Sequence, residues 1–133
     1  MSFTIEKLPD APILVMVHKD GTFMAEFAEG VSALLEALDA QPEPVFLVFD
    51  VHAVSISLDE LTMGASVLAR NPGALMHHPM VQENLVVSRD GLFKLGAVGL
   101  RTATFGGVKI RTFDTLDQAI AYCHENIAEK SST

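Results

Sequence analysis

Residues 45–49 read VFLVF, an unbroken apolar run between Pro44 and Asp50. A strand with one wet face alternates apolar and polar residues, because successive side chains point to opposite faces. A run without alternation needs apolar cover on both faces. That is the situation of an inner strand in a mostly parallel sheet with helices on either side. Ile13–Val17, ILVMV, is a second such run, and both are far too short to span a bilayer. The rest of the chain must therefore supply covering helices.

It does so in alternation. Phe3 to Leu8 predicts a short strand ended by Pro9, and Ile13 to His18 a second strand. Asp20-Gly21 makes a turn and Thr22 can cap the helix that follows. Phe23, Phe27, Val31, Leu34, Leu35 and Leu38 recur at helical spacing before Pro42. After the run at Pro44–Asp50, Leu58, Leu61, Ala65 and Leu68 predict a second helix that stops at Asn71-Pro72-Gly73. Asn84 to Ser88 predicts a strand. Gly91 to Phe105 predicts a helix weakened by Gly91, Gly96 and Gly99. Val108 to Phe113 predicts the last strand. Leu116, Ala119, Ile120, Cys123 and Ile127 predict a final helix, followed by a polar, frayed tail at EKSST.

The order is β-β-α-β-α-β-α-β-α, in one α/β domain over residues 1–130 with a tail at 131–133. Such alternation implies a mostly parallel sheet with right-handed crossovers and an antiparallel first strand.

Charge and composition narrow the partners. The formal net charge is −8, and the nine Lys and Arg residues form no stripe. An acidic surface repels phosphate backbones and anionic lipid, so neither nucleic acid nor membrane insertion is expected. The single cysteine, Cys123, excludes an internal disulfide and a Cys-rich zinc site. No signal-like segment opens MSFTIEKLPD, so a cytoplasmic protein is expected.

Three stretches carry a family resemblance: VFLVFDV, NLVVS before a helix, and the ending VKIRTFDTLDQAIAYCHEN. Together with the element order they resemble the SpoIIAA-like fold, shared by anti-sigma-factor antagonist (STAS) domains and lipid-binding CRAL-TRIO domains. The likeness is strongest to the small bacterial SpoIIAA-like proteins. It implies a single SpoIIAA-like domain that works as a non-enzymatic, homodimeric regulatory or protein-interaction module. The CRAL-TRIO side implies an alternative, a carrier of a small apolar or lipid-like ligand. In regulatory STAS domains a phosphorylatable serine follows the third strand at a helix start. Alignment on Asp50 puts Asp59 near that place, with Ser57 slightly upstream.

Ser57 has two readings. As a phosphoacceptor it would gain from the helix N-terminus. As the first residue of S-x-x-E, with Glu60, it makes a capping box, and Thr115 with Gln118 makes another.

Other candidates follow from position. His18 and His52 end or follow two apolar strands, and ligands of open α/β sheets bind beyond the carboxyl ends of strands. If those strands are neighbours, His18, Asp20, Asp50 and His52 could flank one crevice, the basis of a low-ranked enzymatic reading. No H-x-H or H-E-x-x-H spacing supports a metal, and no cofactor is expected. His77-His78 reads as a surface loop. Asp90 in Ser88-Arg89-Asp90-Gly91 reads as a helix N-cap, and Cys123 as a buried apolar residue.

The apolar excess has its own implication. Mean hydropathy is +0.31, and Ala74–Met80, ALMHHPM, puts apolar groups in an apparent loop. Met63, Leu75, Met76, His77, His78, Met80 and Phe93 are therefore the candidate residues for a partner surface or apolar pocket. The plain alternative is that the loop packs on its own core.

Overall fold

A computed structural model describes residues 3–9, 11–18, 27–54, 57–65, 75, 78–101 and 108–131. Along these the chain forms β1 (Phe3–Lys7), β2 (Ile13–His18), α1 (Phe27–Asp39), β3 (Val45–Asp50), α2 (Leu58–Ala65), β4 (Val81–Val87), α3 (Gly91–Leu100), β5 (Ile110–Phe113) and α4 (Leu116–Ser131). The strands make one sheet in the order β1-β2-β3-β4-β5. β1 pairs antiparallel with β2, Phe3 opposite His18, and the remaining pairs are parallel. The predicted order and the antiparallel first strand are both present.

β3 is the central strand and is buried along its whole length. Its alternate residues serve two cores. Val45, Leu47 and Phe49 join Leu14, Met16, Leu34, Leu38, Val86 and Ala97 on one face. Phe46 and Val48 join Ile13, Val15, Leu85, Val87, Ala119 and Cys123 on the other. The unbroken VFLVF run is thus explained by two-sided burial. α1 and α3 contribute to the first core and α4 to the second. α1 lies close to β2 at Gly30, where a Cβ would come within 2.7 Å of Met16 Cε.

Caps set the helix starts. The Ser57 amide donates to Glu60 Oε1 at 2.9 Å, and the Glu60 amide donates to Ser57 Oγ at 3.2 Å, so both arms of the capping box are formed. At α4 the Gln118 amide donates to Thr115 Oγ1 at 3.2 Å. The return arm is shifted by one residue, from the Asp114 amide to Gln118 Oε1 at 3.3 Å. Asp90 caps α3, accepting from the Leu92 amide at 2.9 Å.

Boundaries differ from expectation at several ends, and β5 begins at Ile110 instead of Val108. α3 ends at Leu100, short of Phe105, and the Arg101 amide closes its last turn on the Ala97 carbonyl at 3.3 Å. Glycines 96 and 99 make that end weak. β4 begins at Val81 instead of Asn84, because the Met80 carbonyl already accepts from the Val45 amide at 2.7 Å and starts the ladder. α4 reaches Ser131, three residues into EKSST and one beyond the expected domain end at 130, since Ala128, Glu129 and Lys130 are good helix formers.

Candidate functional site

The carboxyl ends of β2 and β3 are neighbours, with Val17 opposite Asp50. The pleat nevertheless separates the expected crevice residues. A residue opposite Asp50 shares its face, so His18, one position further on, points to the other face. His18 is only 5% exposed, stacks on Phe3 with ring centroids 5.8 Å apart, and lies beside Gly30 of α1. Its burial follows from β1, whose first residue pairs with it.

Asp50 is also buried. Its Oδ1 accepts from the His52 amide at 3.2 Å and meets His52 Nδ1 at 2.5 Å. His52 itself is largely exposed. The structure therefore brings Asp50 and His52 together and sends His18 elsewhere, while Asp20 lies outside the described residues. Among the described residues, no group of three or more His, Cys, Asp or Glu is placed to hold a metal ion.

The methionine-rich segment is divided. Leu75 is 1% exposed in the first core, with Met80 and Phe93 packed against it. His78 Nδ1 accepts from the Met80 amide at 3.0 Å, and His78 Nε2 meets Asp39 Oδ1 at 2.9 Å. His78 thereby ties this segment to the end of α1. Met63 stands apart, exposed on α2. Met76 and His77 lie outside the described residues.

A cluster that sequence reading missed lies at the amino-terminal ends of β4 and β5. Glu83 on β4 accepts from Arg111 Nε through Oε2 at 2.8 Å and from the Tyr122 hydroxyl through Oε1 at 2.6 Å. Arg111 also sits over the Tyr122 ring, 5.0 Å from its centroid. The ring is held in turn by Phe113 and Phe46, at 5.4 and 6.4 Å. The Arg111 guanidinium is held further toward its charged form by its bond to Glu83 and by Tyr122. Burial, then the Glu83 bond, raises the Tyr122 phenol. Burial, reinforced by the Glu83 charge, pushes the Cys123 thiol up to about 12. Cys123 is therefore an unreactive core thiol.

Two apolar helices complete the picture. Among the described residues, the exposed large hydrophobic side chains are Leu58 and Met63 on α2 and Leu95 and Val98 on α3, each between 57% and 61% exposed. α2 and α3 pack side by side.

The fold has a solved counterpart. A crystal structure of an uncharacterised protein of the DUF3478 family from Shewanella loihica PV-4, described as having a SpoIIAA-like fold, matches with a TM-score of 0.57. The match covers 91% of each chain. This chain has a SpoIIAA-like fold. Sequence identity in the match is 16%, so the likeness is one of architecture. No family model matches the chain, and neither does any curated protein. Within the SpoIIAA-like architecture, Ser57 occupies the start of α2 as a helix cap. No helix among the described residues is long and apolar enough to cross a membrane.

Proposed function

We propose that this SpoIIAA-like domain is a non-enzymatic, cytoplasmic interaction module of the STAS-like type, and that it pairs with a second copy of itself through α2 and α3. The observation that carries the reading is the placement of the exposed large apolar side chains. Leu58, Met63, Leu95 and Val98 all belong to two helices in mutual contact. Single exposed apolar residues are ordinary, but a concentration of them on adjoining elements marks a contact surface. Exposed apolar side chains on adjoining helices suit a self-complementary twofold contact, in which each surface meets its own copy.

Sedimentation equilibrium tests the pairing. The wild type is expected at twice the 14.3 kDa chain mass. Leu95→Glu/Val98→Glu is expected at the single-chain mass and still folded by circular dichroism, since neither side chain is part of the described cores, while its melting midpoint loses the concentration dependence expected of a dimer. Burying the exposed part of a leucine contributes about 1–2 kcal/mol, and a twofold contact counts each side chain twice. A wild type that stays monomeric at high protein concentration overturns the reading.

A further inference from the structure

We propose that the concavity at the amino-terminal ends of β4 and β5 binds a small organic anion through its carboxylate or phosphate group. The inference is independent of pairing through α2 and α3. The concavity has a volume of about 650 Å³, within the range of small-molecule sites, roughly 300–1,000 Å³. Its accessible wall is mainly polar, with Arg101, Lys109, Arg111, Glu83, Gln82 and Asn126 around it, while Phe46, Val108 and Ile110 lie almost wholly buried beneath. A chain of net charge −8 thus gathers three of its nine cationic side chains around one hollow.

The charges do not cancel. Glu83 is the carboxylate on this wall, and both its oxygens are taken, one by Arg111 Nε and one by the Tyr122 hydroxyl. Arg101 and Lys109 have no carboxylate partner among the described residues. The hollow therefore carries a surplus of positive charge.

Arg101 is also held in place. Its Nε donates to the Ile110 carbonyl at 2.9 Å, which anchors the guanidinium at the edge strand and leaves its terminal nitrogens for an oxyanion. Lys109, next to that carbonyl, supplies a mobile ammonium. An anchored guanidinium and a flexible ammonium on a mainly polar wall suit an oxyanion over an uncharged group.

The test is an amide chemical-shift titration of the isotope-labelled full chain. Phenyl phosphate and benzoate are the probes, and benzyl alcohol is the uncharged control of similar shape. Saturable shifts are expected at Gln82, Glu83 and Val108–Arg111, with a dissociation constant of roughly 1 mM or tighter for at least one anion. The stronger of the two identifies the anionic group. Lys109→Gln, which removes a charge without touching a described contact, is expected to weaken binding about tenfold, and Arg101→Gln/Lys109→Gln further. The proposal is overturned if neither anion gives saturable shifts up to roughly 20 mM. It is equally overturned if benzyl alcohol shifts the same amides as strongly, or if Lys109→Gln binds as the wild type does.

Discussion

Replacing Ser57 separates its role as a cap from any role for added charge. The Ser57 hydroxyl oxygen satisfies the Glu60 amide at 3.2 Å, and Ser57→Ala leaves that amide without its partner. Loss of an N-cap of this type costs about 1 kcal/mol. At roughly 2.1 cal/mol/K per residue, a chain of 133 residues unfolds with an entropy of roughly 280 cal/mol/K. One kilocalorie then lowers the melting midpoint by about 3.5 °C. Glu60→Ala removes the reciprocal bond from the Ser57 amide and should cost a similar but smaller amount. Ser57→Asp keeps an acceptor of equal capping quality and should melt within about 1 °C of the wild type. Thermal melts followed by circular dichroism measure all three. A Ser57→Ala midpoint within about 0.5 °C of wild type would refute the cap as a stabilising feature. If Ser57→Asp falls as far as Ser57→Ala, then Asp59 and Glu60 repel charge there more strongly than the cap attracts it. A phosphate on Ser57 would meet the same repulsion.

Three further outcomes follow from the core and the Glu83 cluster. Because the folded state raises the Cys123 thiol from 9.0 to about 12, the unfolded chain loses that proton first. Stability is then retained below about pH 9 and lost progressively toward about pH 12, and urea midpoints at about pH 8 and pH 10.5 should show the fall, reduced in Cys123→Ala. The raised Tyr122 phenol acts in the same direction. Tyr122→Phe removes a 2.6 Å bond to a carboxylate, for an expected cost of about 1.5 kcal/mol in urea denaturation. Leu38→Ala empties a fully buried position under α1 and should cost about 2–5 kcal/mol by the same assay.

The legible parts of the sequence were those decided locally. An unbroken run such as Val45–Phe49 admits few environments, and S-x-x-E at Ser57 states its own hydrogen bonds. The illegible parts depended on register. Glu83 and Arg111 are 28 residues apart, and Glu83 and Tyr122 are 39 apart, so no spacing rule connects them. Their only trace is the pair of cations, Lys109 and Arg111, flanking Ile110 on the last strand. His18 was misleading for a similar reason. Read along the chain it ends a strand beside a turn, but an antiparallel partner covers it, and the pleat turns it away from Asp50. The Met80 segment looked like an exposed apolar loop because the contacts that hold it, the Met80 carbonyl to Val45 and His78 to Asp39, involve elements far back in the chain.

The strand order explains why both candidate surfaces lie where they do. From β2 to β5 each strand is added on the same side of the one before it. Right-handed crossovers that always step in one direction put their helices on one face of the sheet. α1 and α3 accordingly share the first core, α2 packs beside α3, and α4 is the helix that joins the second core among the described residues. Helices set side by side over one face must present their outer sides to solvent, and here those outer sides carry Leu58, Met63, Leu95 and Val98. Among the described residues, the other face has one helix to serve a five-stranded sheet. Next to α4, around the start of β5, a hollow remains between Asn126 and Arg101. The hollow lies at the β5 edge and draws on both faces, with Arg101 from the end of α3 and Asn126 from α4, beyond the Leu95 and Val98 surface along α3. A substitution at Leu95 should leave anion binding intact, and one at Lys109 should leave the oligomer intact. The two titrations run on both variants would show coupling if the separation were incomplete.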